Sequence, residues 1–322
     1  MLIDLHTHLE GRVRPATAVA LAADLGLPDR DWAAALTLPR PGTLTTFLDR
    51  VGASYPFFSS PDAITRIARE AVEDAAADGV DHLEVRFGPG THVRAFGLDM
   101  DDVIAAVCRG FADGTAATGL PAGVVIAALR SHPDDLNAEV VAAATRFAGR
   151  GVVGFDLAGD ELRFPDLERY VSLFRAAGAA GLGLTCHAAE AAPGVMARRA
   201  VELLGVTRIG HGTHIVDDPD VLAWCADHGV VVEMCPTSNW FTGALAAVAD
   251  HPAPRFRDAG VPVVLGDDNP VQTGSSMAAE RRVLHEELGF SPADLAELDR
   301  VSVAAAFLEP GQRSALAARL PR

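Results

Sequence analysis

The chain has 322 residues, about half of them apolar, and a formal charge of −16 at pH 7. The length suits an α/β barrel or a doubly wound α/β domain, and the acidic balance excludes nucleic acid or an anionic membrane as the partner. No stretch approaches the ~20 apolar residues of a membrane span, and no basic start with an apolar run marks a secretory leader, so the expected compartment is cytoplasmic.

The chain opens on a strand, Ile3-Asp4-Leu5-His6-Thr7-His8-Leu9-Glu10. A two-residue period puts Leu5, Thr7 and Leu9 on one face and His6, His8 and Glu10 on the other. An alanine-rich helix spans 15–25. Residues 27–60 are irregular and read as an excursion over one end of the fold, a candidate lid. Ser60-Pro61-Asp62 opens the next helix with a cap, a proline in the first turn and an acid at the positive end. Ile64, Ile67, Ala68, Ala71, Val72 and Ala75 continue it at helical spacing, and Gly79 stops it. A strand follows at 82–87, with Leu83, Val85 and Phe87 on one face and Glu84 and Arg86 on the other.

The alternation then continues. Helices are expected at 100–116, 136–147, 167–177, 195–204 and 219–227, and strands at 123–129, 152–157, 182–187, 208–211 and 230–235. A loop with a short helix near Arg255 leads to a last strand at 261–267, and helices from 276 to 288 and from 292 onward close the chain. Gly181-Leu182-Gly183 precedes a strand instead of following one, so it is a turn and not a phosphate loop. Strands alternating with helices in this way predict a (β/α)8 TIM barrel with additional helices, one domain over residues 1–322.

Active sites of such barrels sit at the C-terminal ends of the strands. Polar residues collect there in this chain: His6, His8 and Glu10; Asp156 to Glu161; His187 and Glu190; His211 and His214; Thr237 to Asn239; Asp267 to Asn269. Imidazoles side by side on a strand suit a divalent metal such as zinc. Histidines and acids at several strand ends, all facing one mouth, are hard to explain by packing. Cys108, Cys186, Cys225 and Cys235 form no CxxC pair, lie in apolar stretches and read as buried free thiols.

These motifs, HTHLEG at 6–11, DLAGDE at 156–161, HAAE at 187–190, GHGTH at 210–214, EMCPTSN at 233–239 and DDNP at 267–270, resemble those of the adenosine deaminase family of metal-dependent amidohydrolase barrels. They stand in the family's order and span nearly the whole chain. The resemblance implies one zinc ion per subunit held by His6, His8, His187 and Asp268. It also implies His211 facing the metal's water, Glu190 as the acid at N1 of a purine ring, and the Gly159 N–H at N3. Catalysis would then rest on Glu190, His211 and Asp268. The implied reaction is hydrolytic deamination of a 6-aminopurine, and the implied partner is that small molecule, with self-association as a homo-oligomer allowed. The chain contains no lysine, so the carboxylated-lysine bridge of related two-metal barrels is excluded.

Three positions depart from the family pattern. The family's last strand generally ends Thr-Asp-Asp-Pro. Counting back from Pro270 without a gap puts Asp268 on the metal and Asn269 at N7, where an amide donates as well. The shifted register puts Asp267 on the metal and Asp268 at N7. Ala189 replaces a common glycine and is expected to narrow the pocket floor. Glu10 replaces an aspartate that meets the sugar, which shortens the room on that side. Trp240 and Phe241 wall the same pocket or pack in the core. Adenosine or deoxyadenosine is the default substrate. Adenine is the alternative if the sugar side is closed. Aminodeoxyfutalosine, whose benzoate arm needs a cation, is another, with Arg12, Arg86, Arg94 and Arg163 as candidates. A catalytically inert purine-binding barrel is the non-enzyme alternative.

Overall fold

The computed structural model describes residues 1–320. Eight strands, β1 (Ile3–His8), β2 (His82–Phe87), β3 (Ala122–Leu129), β4 (Val152–Ala158), β5 (Gly183–Ala188), β6 (Arg208–His211), β7 (Val231–Met234) and β8 (Val263–Leu265), pair in parallel in chain order. The ring closes between β1 and the residues just past β8. Thr7 bridges Asp268, the His8 N–H donates to the Asp268 carbonyl at 2.7 Å, and the Asp268 N–H donates to the His6 carbonyl at 2.9 Å. Helices between the strands cover the outside, which is the (β/α)8 barrel expected. Among the described residues no helix is long and apolar enough to cross a membrane.

Four differences from the expected elements matter for the site. β1 stops at His8, and Leu9–Arg12 turns as a 3₁₀ helix, so Glu10 leaves the strand face that carries the two histidines. A helix at Pro89–Phe96, in a stretch to which no element was assigned, follows β2, and another at Pro236–Phe241 follows β7, where a loop was expected. Both begin on proline, whose fixed φ suits a first turn. β8 has only three residues, and Gly266 just past its end lies close against β1. A Cβ there would come within 2.3 Å of the His6 carbonyl oxygen. The 27–60 excursion contains helices at Trp32–Leu36 and Leu44–Gly52, and its Phe47 and Val51 pack on Phe241 over the barrel mouth.

The interior of the barrel is charged as well as apolar. Leu83, Val85 and Phe87 face the helices, and Glu84 and Arg86 face the axis with no solvent exposure. Arg208 pairs with Glu84 and Glu233, each at 2.7 Å. Arg86 pairs with Asp156 at 3.0 Å and makes a short contact to Glu233. Signs alternate along this ladder, so every buried charge has a partner, which is the condition under which such groups are tolerated. Phe307 closes the far end beneath the Arg208 guanidinium, 3.6 Å from the ring centre. Gly154 and Gly183 leave room for it, since a Cβ on either would meet the ring at 2.6 and 2.0 Å.

Glu280, in the helix Met277–Glu286, accepts from Ser275 Oγ and from the Thr237 N–H. Burial still pushes its carboxyl from about 4.5 up to about 7. The folded chain therefore holds this proton where the unfolded chain has lost it. The contribution is fully present below the unfolded pKa and fades as pH rises through the folded one. Glu280→Gln should gain on the parent by up to about 3 kcal/mol between pH 4 and pH 8. Urea unfolding at the two pH values measures the difference, and equal offsets would contradict the buried acid.

Candidate metal centre and catalytic pocket

The C-terminal ends of β1 and β5 and the turn after β8 bring four donors together. The ring nitrogens of His6, His8 and His187 lie within 4.8 Å of one another. His8 Nε2 stands 3.1 Å from His187 Nε2 and 3.3 Å from Asp268 Oδ1, and His6 Nε2 stands 3.7 Å from the same oxygen. His6 Nε2 is buried without a hydrogen-bond partner among the described residues. Close approach depends on small residues: a Cβ at Gly210 would meet the His6 ring at 2.9 Å. It also depends on strain, since Ala189, His211 and Asp268 all adopt left-handed φ of 56–63°. Such φ values cost non-glycine residues about 1–3 kcal/mol each and cluster at functional sites.

The carboxylates behind the rings fix their orientation. His6 Nδ1 lies 2.8 Å from Glu233 Oε2, and His187 Nδ1 lies 2.9 Å from Asp156 Oδ2. An imidazole that donates from Nδ1 turns a bare Nε2 forward, the arrangement behind histidine metal ligands. Arg86 joins the two carboxylates. Burial opposes the charge on Asp156, but His187 and then Arg86 outweigh it and hold the carboxyl below its usual range. Burial, then His187, pushes His8 down to about 3, so its ring is neutral. Burial also holds His6 well below its usual range, whereas at His187 burial is outweighed by Asp156, which raises it. Imidazole nitrogens crowded this closely beside a carboxylate call for a cation between them. The donor set fits zinc. Cys235 also approaches His6 and His211. Burial, then Asp268, pushes its thiol well up, and among the described residues no carboxylate joins it in that second group.

Asp156→Asn should lower zinc affinity about 10–100-fold, because the amide cannot hold His187 as the carboxylate does. Competition with a chromogenic chelator reads this directly, and an unchanged affinity would remove Asp156 from the support of the site.

A cavity of about 320 Å³ opens above these donors. His8, His187, Glu190, His211, Asp268 and Asn269 line one side, and Glu10, Gly88, Ala158 and Gly159 line others. Glu190 Oε2 lies 3.8 Å from His211 Nε2. Burial, then the Asp268 charge, pushes the Glu190 carboxyl up to about 8, so it holds a proton at neutral pH. Glu161 sets its position: this carboxylate accepts from the N–H groups of Ala189, Ala191 and Ala192 at 2.9, 2.6 and 2.9 Å. Glu10 reaches the cavity from the turn after β1. Its Oε1 accepts from the Gly88 N–H at 3.1 Å and lies 3.4 Å from His92 Nε2. His92 packs against both Phe58 and Phe87, with ring centres 4.5 and 5.3 Å away.

Several expectations change. Asp267 lies away from the donors. It takes both its oxygens to Arg12 Nη2 at 2.7–2.8 Å, and Asp4 takes the same nitrogen at 2.8 Å. Arg12 and Arg86 are therefore buried ion-pair partners and not cations for a substrate arm. Arg163 is exposed and lines the cavity. Trp240 and Phe241 belong to the small cluster under the lid and do not line the cavity. Ala189 does not form the floor; the left-handed turn explains why glycine suits that position. Sequence reasoning overlooked Glu161, Glu233 and Asp156 as supports. All three stand within or beside the quoted motifs, and their role as neighbours of ligands shows only in space.

The adenosine deaminase family model matches residues 2–321. An adenosine deaminase of Mycolicibacterium vanbaalenii is 35% identical, with 97% of this chain and 91% of the relative covered. An adenine deaminase structure from Arthrobacter aurescens superposes with a TM-score of 0.90 at 26% identity, covering 99% of this chain and 97% of the other. An amidohydrolase structure with bound zinc from Burkholderia ambifaria gives a TM-score of 0.90 at 27% identity, covering 99% and 89%.

Proposed function

Because this chain belongs to the adenosine deaminase family, we propose that it hydrolyses a 6-aminopurine of the adenosine type to the 6-oxopurine and ammonia, using one zinc ion per subunit. The reading is carried by one observation: three imidazole nitrogens and the Asp268 carboxylate converge on one point, with the proton-bearing Glu190 beside it. His6, His8, His187 and Asp268 would hold the zinc. When bound, zinc lowers the pKa of a coordinated water to about 7 and so makes a nucleophile available at neutral pH.

The chain's own residues do the rest. The Gly159 N–H would meet N3 and the Asn269 side chain N7, which sets the purine's C6 edge against Glu190 and His211. As the water oxygen bonds to C6, the C6–N1 electron pair moves to N1, and Glu190 gives N1 its proton. Asp268 takes the proton released by the water. It returns that proton to the amino group, the C6–N bond breaks, and ammonia leaves. The C6 hydroxyl passes its proton to Glu190, which restores the starting state. The lid over the mouth excludes bulk water.

Adenine is the second reading. It is favoured by the Arthrobacter aurescens structure and by Glu10, which lines the cavity and whose longer side chain would shorten the room for a sugar. Aminodeoxyfutalosine would place its carboxylate toward Arg163. Purified protein mixed with adenosine should lose absorbance at the adenine band, and chelation should stop the loss until zinc is restored. No change with adenosine, adenine or aminodeoxyfutalosine would overturn the reading and favour an inert purine-binding barrel.

A further inference from the structure

His211 is joined to a buried chain of hydrogen bonds that ends on the backbone. The Ala253 N–H donates to His251 Nδ1 at 3.1 Å. His251 Nε2 lies 3.3 Å from Asn239 Oδ1, and Asn239 Nδ2 lies 3.1 Å from His211 Nδ1. Asn239, His211 and His251 are all 3% exposed or less. Ring tautomers and amide orientations normally remain free choices. Here the first link removes the freedom, because a backbone N–H can only donate. His251 Nδ1 must therefore be bare, and its one proton sits on Nε2. That proton needs an acceptor, so the Asn239 oxygen faces His251 and its NH₂ faces His211. His211 Nδ1 accepts from the amide, so the proton of the neutral ring sits on Nε2, the nitrogen that faces Glu190 and the cavity.

We propose that Asn239 and His251 are positioning residues that hold His211 as the Nε2–H tautomer, so that it meets the reacting oxygen as a hydrogen-bond donor and not as a base. The role assigned to that oxygen rests on the deaminase reading above; the tautomer does not. A donor at this place stabilises charge as it builds on the oxygen bonding to C6. The water's proton is left to Asp268. His251 stands outside the motifs that resemble the family, and nothing in its sequence setting, His251-Pro252-Ala253, marks it for such a part.

The test uses zinc-loaded protein and two readouts. Long-range ¹H–¹⁵N spectra of histidine-labelled protein report which ring nitrogen carries the proton. His211 and His251 should both be Nε2–H. Asn239→Asp supplies an acceptor on both sides, which forces His211 to Nδ1–H. That variant should keep its zinc and its KM but lose about 100-fold or more in kcat, as expected of a catalytic histidine held in the wrong tautomer. His251→Phe, which frees the amide to turn, should lower kcat about tenfold with KM unchanged, and His251→Gln, which restores a donor, should recover part of the loss. An Nδ1–H signal for His211 in the parent protein would overturn the proposal. So would an Asn239→Asp enzyme that turns over normally, since that is the behaviour of a base. If a variant fails to fold, the parent spectrum still decides the tautomer. If the parent is inactive on purines but shows both Nε2–H signals, the deaminase reading fails and the relay stands.

Discussion

Glu190→Gln is expected to keep its zinc and to lose about 10²–10⁴-fold in turnover, the range that a positioned proton donor contributes. The side chain lies on the loop held by Glu161, and an amide of the same shape leaves those backbone bonds in place. It carries no proton that it can release to a ring nitrogen. KM should change little, because the loss concerns an interaction formed as N1 gains its electron pair. The pH profile sharpens the test. The buried carboxyl, pushed up to about 8, is protonated below that value. In the parent the limb of kcat that falls at alkaline pH should therefore report its ionisation, and in the variant that limb should vanish. Steady-state rates from pH 6 to pH 9 beside metal analysis make the measurement. A variant that turns over at the parent rate would remove Glu190 as the ring acid.

Asp268→Ala and Asp267→Ala should fail in different ways. Asp268 Oδ1 lies within 3.7 Å of two ligand nitrogens, while Oδ2 makes a short contact with Ser238 Oγ that fixes the carboxylate. Removing it should leave a folded protein that no longer retains zinc through gel filtration. Asp267 instead shares the Arg12 guanidinium with Asp4. Its loss leaves a buried cation with half its partners, a change that costs about 3–5 kcal/mol in such sites. The Asp267 variant should melt earlier and hold zinc while folded. Metal content and thermal unfolding of the two proteins decide between the registers. Loss of zinc in the Asp267 variant alone would mean that the shifted register is right.

The contrast between these neighbouring aspartates shows where one-dimensional information ends. Alternation of apolar and polar residues in 82–87, glycine stops such as Gly79 and caps such as Ser60 are local effects, and they were sufficient for the barrel. The strand-end histidines and acids were legible for the same reason: a parallel barrel carries the ends of its strands to one rim. The family motifs then named His6, His8, His187, His211, Glu190 and Asp268 individually. Local pattern misjudged the ends of elements. Continued alternation placed Glu10 on the first strand, but contact between Gly11 and Asn269 bends the chain after His8.

The sequence by itself determined the order of strands and helices, the collection of ligand-type side chains at one rim and the exclusion of a lysine-bridged pair of metals. These follow from periodicity and composition, which act over a few residues. Only the tertiary structure decided which acids stand behind the rings, that Arg12 and Arg86 are spent on buried carboxylates, and which way each imidazole is turned. Glu233 and His6 are 227 positions apart and meet at 2.8 Å. A charge removed from water requires a partner at contact distance, and closure of the barrel alone determines which residue is near enough to be one.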